Sequence, residues 1–162
     1  MKRISSLLKA CLCLGIIAAL VLSFAGCDLS KEAVTADTFK TAAEGLGLTV
    51  EDTTGQYAEY GFLTSCTTAG TISGDTVEWS ADFMVFDSEA NAASSFETNK
   101  NNFEFASSGT TAEFNGTNYS SYSKTAGGEY MYVCRVDNTL IYLRVASDYK
   151  ESAVSLVKAI GY

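Results

Sequence analysis

Hydrophobic residues recur along this chain in three rhythms. An unbroken apolar run from Ala10 to Phe24 follows three cations, Lys2, Arg3 and Lys9, and gives way to charge just after Cys27. Beyond it, apolar positions return every third or fourth residue in three segments and every second residue in several others. These are the periods of amphipathic helices and of strands with one buried side.

In "TADTFKTAAEGLG", Phe39, Ala42, Ala43 and Leu46 make a helical stripe, with Thr35 placed to cap its start and Gly47 suited to the left-handed position past its end. "LTVED" reads as a short strand and Tyr60 to Ile72 as an extended, Thr-rich one, closed by a turn at Ser73, Gly74 and Asp75. "TVEWSADFMVF" alternates, with Val77, Trp79, Ala81, Phe83 and Val85 on one face and Glu78, Ser80 and Asp82 on the other. A second helix begins at Ser88, with Ala92, Ala93, Phe96 and Phe103 on its stripe. Three turn signals follow, at Asn115-Gly116, Ala126 to Gly128 and Asp137-Asn138, and an antiparallel meander accommodates them. A two-residue turn at Asp137-Asn138 would set Val136 opposite Thr139, Cys134 opposite Ile141, Tyr132 opposite Leu143 and Tyr130 opposite Val145. The last helix, in "SDYKESAVSLVKAIGY", would bury Tyr149, Ala153, Val157 and Ile160, with Asp148 and Glu151 spaced for a capping box. "FMVFDSEANAA" and "YLRVASDYKESA" echo one another as strand, polar cap and helix. The expected fold is α+β, an antiparallel sheet of about six strands with three helices in the order helix, strands, helix, strands, helix.

The opening run has the layout of an export signal: cations, a short hydrophobic core, then small residues. Its fifteen residues fall short of the roughly 18 that a spanning helix needs. "FAG" before Cys27 resembles the end of a bacterial lipoprotein signal, with Phe24 where leucine is usual. That resemblance implies cleavage between Gly26 and Cys27, a diacylglycerol thioether on Cys27 and acylation of the new amino terminus. The expected organisation is a signal peptide over 1–26, a lipidated end and short linker over 27–34, and one domain over 35–162.

Charge and composition narrow the chemistry. Of eleven basic and nineteen acidic residues, three basic ones precede Ala10 and no acid precedes Asp28, so the chain from Cys27 onward carries −11. Such a domain is repelled by nucleic acid and by anionic headgroups, so a partner nucleic acid is not expected and the lipid must hold the domain at the membrane. Histidine is absent, which removes Ser/His/Asp and Cys/His catalysis and His-ligated zinc. Two cysteines remain after Cys27, too few for a four-cysteine zinc site, and no calcium-loop motif is present. No cofactor or metal is implied.

The remaining candidates are few. Export makes a disulfide between Cys66 and Cys134 chemically feasible, and two separately buried thiols are the alternative. "SDYK" has the Ser-x-x-Lys spacing of penicillin-binding enzymes, and "KTAG" from Lys124 faintly resembles their Lys-Thr-Gly strand. Their Ser-Asp-Asn element is missing and the order is wrong, so Ser147 reads better as a helix cap. The carboxylates show no spacing that selects an acid and base pair for glycoside cleavage. Arg135 and Arg144 share a hairpin face with Met131, Val133, Leu140 and Tyr142. That face is too apolar to stay bare, so either a helix covers it, its carboxylates pairing with the arginines, or Met131, Arg135, Tyr142 and Arg144 receive a partner. "NGTNYSSYSKTAGGEYMY" suits either a recognition surface or ordinary hairpin strands.

"TFKTAAEGLGLTVEDTTGQY", "SSFETNKNNFEF" and "YMYVCRVDNTLIYLRV" make the domain similar to a group of small lipoproteins of Gram-positive bacteria with no assigned function. The resemblance supplies no catalytic residue. The expected function is a membrane-anchored, extracytoplasmic, non-catalytic module binding a protein or small molecule, and the alternative is a small cell-envelope hydrolase working through carboxylates or Ser/Lys.

Overall fold

The computed structural model describes residues 30–73 and 76–162, so Cys27, with Gly74 and Asp75 of the expected turn, lies outside the described residues. The elements run α1 (Ala36–Gly45), β1 (Thr49–Asp52), β2 (Leu63–Ser73), β3 (Thr76–Phe86), α2 (Glu89–Glu104), β4 (Thr110–Asn115), β5 (Tyr119–Ala126), β6 (Glu129–Val136), β7 (Thr139–Ala146) and α3 (Lys150–Ala159). All strands pair antiparallel in one sheet ordered β1-β2-β3-β7-β6-β5-β4. The α+β class and the expected element order hold, with seven strands rather than six. Every residue of β4 is exposed, so that strand carries no hydrophobic alternation to announce it.

Local chemistry starts and stops the helices. Thr35 Oγ1 accepts the Thr38 amide at 3.2 Å and Ser88 Oγ accepts the Asn91 amide at 3.3 Å, each satisfying a donor that the helix leaves free. Gly47, at φ +78°, turns α1 out of its path, and the Leu48 amide reaches back to the Ala43 carbonyl at 3.1 Å. Because the helix ends at Gly45, Leu46 leaves the expected stripe and is exposed, and Leu48 packs on the core instead. The expected Asp148–Glu151 capping box does not form. A 3-10 turn over Ser147–Tyr149 winds straight into α3 and supplies the Ser147 carbonyl to the Lys150 amide.

Two cores lie on the two faces of the sheet. On one, α1 and α3 press Phe39, Ala43, Ala153, Leu156 and Val157 against Trp79, Ala81, Phe83, Cys134, Ile141 and Leu143, with Phe39 stacked on Phe83 at 5.0 Å. On the other, α2 sets Ala92, Phe96 and Phe103 against Met131, Val133 and Leu140. The helices that follow β3 and β7 thus sit on opposite faces and start differently, one on the Ser88 side chain and the other through a 3-10 turn, so the sequence echo does not extend to the structure. Within β3, Trp79, Ala81 and Phe83 are buried as expected, while Val77 pairs with Ile72 in a hairpin tip that extends past the helices and stays exposed.

The β6–β7 hairpin has the register that a two-residue turn requires, from Val136 opposite Thr139 through Tyr130 opposite Val145. Asp137 adopts φ +48° there, and Asn118 Nδ2 holds its carboxylate at 3.0 Å. Across from it, Asn138 Nδ2 donates to the Phe86 carbonyl at 2.8 Å. The chain also enters the domain firmly tied. The Lys31 amide donates to Asn118 Oδ1 at 2.9 Å, Asn118 Nδ2 returns to the Lys31 carbonyl at 2.8 Å, and the Val34 amide donates to the Tyr162 hydroxyl at 3.1 Å. The expected linker over 27–34 is therefore part of the packed domain from Lys31 onward. No helix among the described residues is long and apolar enough to cross a membrane.

Candidate functional site

The two cysteines do not meet. Cys66 pairs with Met84 and so faces α2, whereas Cys134 pairs with Ile141 and faces α1 and α3. β3 and β7 stand between their strands. Three strand spacings of about 4.8 Å put them roughly 14 Å apart, twice the reach of a disulfide. Both are free and buried, which corrects the expected pairing, and burial pushes each thiol up to about 11. Neither has the thiolate character of a nucleophile at neutral pH.

The Ser/Lys candidates are also apart in role. The Ser147 amide binds the Gly128 carbonyl at 2.8 Å, and Lys150 Nζ lies over the Tyr130 ring, 5.0 Å from its centroid. Ser147 does not cap the helix with its side chain. Lys124 is buried and donates to the Glu104 and Ala106 carbonyls, both at 3.1 Å. It closes the C-terminal end of α2, where a cation is favoured by the helix dipole.

The apolar hairpin face of Met131, Val133, Arg135, Leu140, Tyr142 and Arg144 is covered by α2, the first of the two expected outcomes. Met131 is buried beneath the helix, and Tyr142 stacks on Phe103 at 5.5 Å. The arginines, however, do not reach the helix carboxylates. Arg144 Nε donates to Glu129 on the neighbouring strand at 3.0 Å, and Arg135 Nη1 donates to the Asp137 carbonyl at 3.0 Å. Of the four residues of the expected binding face, Met131 is buried under α2, Arg135 and Tyr142 are partly covered and Arg144 stays exposed.

An open site does exist on this side of the sheet, beyond the edge of α2. After β1 ends at Asp52 the chain turns through a short 3-10 segment at Thr54–Tyr57, and its threonines take over the pairing with β2. The Thr53 amide donates to the Cys66 carbonyl and the Cys66 amide donates to Thr54 Oγ1, both at 2.9 Å. This fastening holds the following stretch, Tyr57 to Phe62, as an aromatic rim. Its neighbouring rings lie 6.3 Å apart for Tyr57 and Tyr60 and 5.8 Å apart for Tyr60 and Phe62, and Phe62 stacks on Phe86 at 6.2 Å. Between this rim and α2 lies a cleft of about 370 Å³, floored by Leu63, Met84 and Phe86. Its far wall is one flank of the helix: Asn91, Ser94, Ser95, Thr98 and Asn99. Residues three and four apart stand above one another on a helix, so these five form a continuous polar stripe.

Next to Met84 on the same face of β3 stands Asp82. Thr68 Oγ1 donates to its carboxylate at 2.7 Å, and Thr53 and Thr68 share a hydrogen bond of 2.9 Å behind it. Burial raises the Asp82 pKa above the ordinary aspartate value. Burial, and next the Asp82 charge, push Tyr57 up to about 12, so its phenol is neutral at physiological pH. Of the two groups only Tyr57 lines the cleft, so the Asp82 carboxylate and the phenol do not face one another across it. The cleft can bind by stacking and hydrogen bonding, but no carboxylate lines it for glycoside cleavage.

Sequence reasoning missed this cleft. Two signals pointed to it: three aromatics crowded into "YAEYGF" between strands, and a helix flank with no charge in a strongly acidic domain. Comparison with protein-family models, curated proteins and solved structures finds no match to the chain.

Proposed function

We propose that this chain is a lipoprotein, held at the outer face of the cytoplasmic membrane by lipid on Cys27, whose domain is a non-catalytic binding module with its ligand in the cleft beside α2. The observation that carries the binding reading is the make-up of that cleft. Aromatic rings, an apolar floor and uncharged polar groups converge on about 370 Å³, within the roughly 300–1,000 Å³ of small-molecule sites. A hydrolase would need two ionisable groups facing one another across such a space. The carboxylate and Ser/Lys candidates are not brought together in that way.

The tether reading draws on the N-terminal pattern and gains support from the bonds at Lys31. With Lys31 and Val34 tied to Asn118 and Tyr162, only Asp28 to Ser30 separate Cys27 from the packed domain, a reach from Cys27 to Lys31 of at most about 14 Å. Asn118 also holds the turn at Asp137, and Asn138 of that turn holds Phe86. The tether therefore arrives at the same end of the sheet as the cleft.

Two experiments test these readings. Radiolabelled palmitate should enter the wild type and not Cys27→Ala, and equal labelling of both would refute the anchor. Native mass spectrometry of the full chain, mixed with a small-molecule extract of its own envelope, should show an adduct on the wild type that Phe62→Ala loses. An adduct retained by Phe62→Ala would move the ligand out of the cleft.

A further inference from the structure

The chemistry of the cleft narrows its ligand, on the footing that it is the binding site proposed above. None of its lining residues is a lysine, arginine, aspartate or glutamate. An anionic ligand would lose water there without gaining an opposite charge, and the neighbouring Asp82 and Asp87 carboxylates are engaged by Thr68 and Asn91, so the occupant is neutral.

The two walls make different demands. On the rim, Tyr60 and Phe62 are 46% and 41% exposed, so ring surface is available to a ligand. The face of an aromatic ring carries partial negative charge and attracts the weakly positive hydrogens of carbon atoms bonded to oxygen. On the helix wall, free donors and acceptors stand side by side. Thr98 Oγ1 donates to the Ser94 carbonyl at 2.9 Å, Asn99 Nδ2 to the Ser95 carbonyl at 2.9 Å, and Asn91 Nδ2 to the Asp87 carboxylate at 2.7 Å. What remains is mixed: the amide oxygens of Asn91 and Asn99 and the lone pairs of Thr98 accept, while the Ser94 and Ser95 hydroxyls and the second N–H of Asn91 donate. The ligand must bring a row of groups that both donate and accept, as hydroxyls do, next to an apolar C–H surface.

We propose that the cleft binds a neutral saccharide, one C–H face of a sugar ring lying on the aromatic rim and its hydroxyl groups donating to the amide oxygens of α2. A proline-rich peptide would also lie against tyrosine rings. It offers acceptors alone, because proline has no N–H, and would leave the amide oxygens of Asn91 and Asn99 unpaired. The cleft's volume, near the lower bound for ligand sites, fits the end of a chain or a short oligosaccharide.

Isothermal titration of the full chain in detergent tests this, with cellotriose, maltotriose and N,N′-diacetylchitobiose as neutral probes, trigalacturonate as an anionic one and decaproline as the peptide. At least one neutral sugar should saturate the protein, and trigalacturonate and decaproline should bind at least tenfold more weakly. Phe62→Ala and Asn99→Leu should each weaken the sugar at least tenfold, while the far-ultraviolet dichroism and unfolding midpoint stay as in the wild type. Absence of binding by all three neutral sugars overturns the saccharide assignment. Decaproline binding that Phe62→Ala abolishes, without sugar binding, overturns it too but leaves the cleft as the binding site. Sugar binding that neither variant alters overturns both the assignment and the cleft reading on which it rests.

Discussion

The two faces of this sheet use the same strands and come to different ends. Under α1 and α3, Phe39, Phe83, Ile141, Leu143 and Leu156 are sealed from water, with Cys134 among them as one more small apolar group. Under α2 the burial is as complete beneath the helix but stops at its edge, and the floor formed by Leu63 and Met84 is only partly covered. A helix is about 10–12 Å across, whereas seven strands about 4.8 Å apart span close to 30 Å. Two helices and the two chain ends can roof one face. One helix cannot roof the other, and the space it leaves is closed on its far side by the aromatic rim. The face with one helix holds the aromatic-rimmed cleft, whereas the hollow of about 430 Å³ beside the start of α1 on the other face has no ring in its lining.

The sharpest way to break this comparison is to damage each face in turn. Phe83→Ala, which removes the ring stacked on Phe39, should cost about 3–5 kcal/mol in urea unfolding. Phe62→Ala, at the exposed rim, should cost under about 1 kcal/mol. Equal costs would mean that the cleft side carries the fold as much as the sealed side does. Next in size is Lys124→Met, which leaves the Glu104 and Ala106 carbonyls without their donor. It should cost about 1–3 kcal/mol by the same measurement, and no loss would mean that water replaces the ammonium at the end of α2.

A smaller effect separates the faces by pH. Asp82 binds its proton more tightly folded than unfolded, so the folded state holds more protons as pH rises past 3.8, the ordinary aspartate value. Stability attributable to this group is present below that value and is lost as pH rises through the higher folded one. Asp82→Asn should therefore match the wild type at pH 3 and exceed it at pH 7 in urea melts, and the reverse order would place the carboxylate in a favourable site. Smallest is the exposed Arg144–Glu129 pair, whose coupling in a double-mutant cycle should fall below about 1 kcal/mol. A larger coupling would mean that the hairpin face leans on this pair rather than on α2.

The sealed face was the legible one. Alternation through β3 and the Asp137-Asn138 turn foretold which residues of β6 and β7 oppose each other, because a strand's period and a two-residue turn leave one register. Thr35 and Ser88 announced two helix starts. Asp148 and Glu151 misled because a capping box needs an extended residue before the helix, and here a 3-10 turn occupies that place. The cleft was illegible for a different reason. Its rim, floor and wall come from 57–63, 84–86 and 91–99, and each piece has an ordinary local explanation as loop, strand end or solvated helix flank. Only the crossing of α2 over the sheet brings them together. The cysteines misled in the same way, since nothing in their spacing reports which side of a sheet each one faces.

The most direct test of the division between the faces is chemical-shift mapping on the ¹⁵N-labelled full chain in detergent, titrated with cellotriose, maltotriose and N,N′-diacetylchitobiose in turn. Perturbations should centre on Tyr57, Tyr60, Phe62 and the helix flank from Asn91 to Asn99, with the amides of Phe39, Cys134 and Leu156 unmoved. Perturbations centred on α1 and α3, or none with any of the three sugars, would contradict the account.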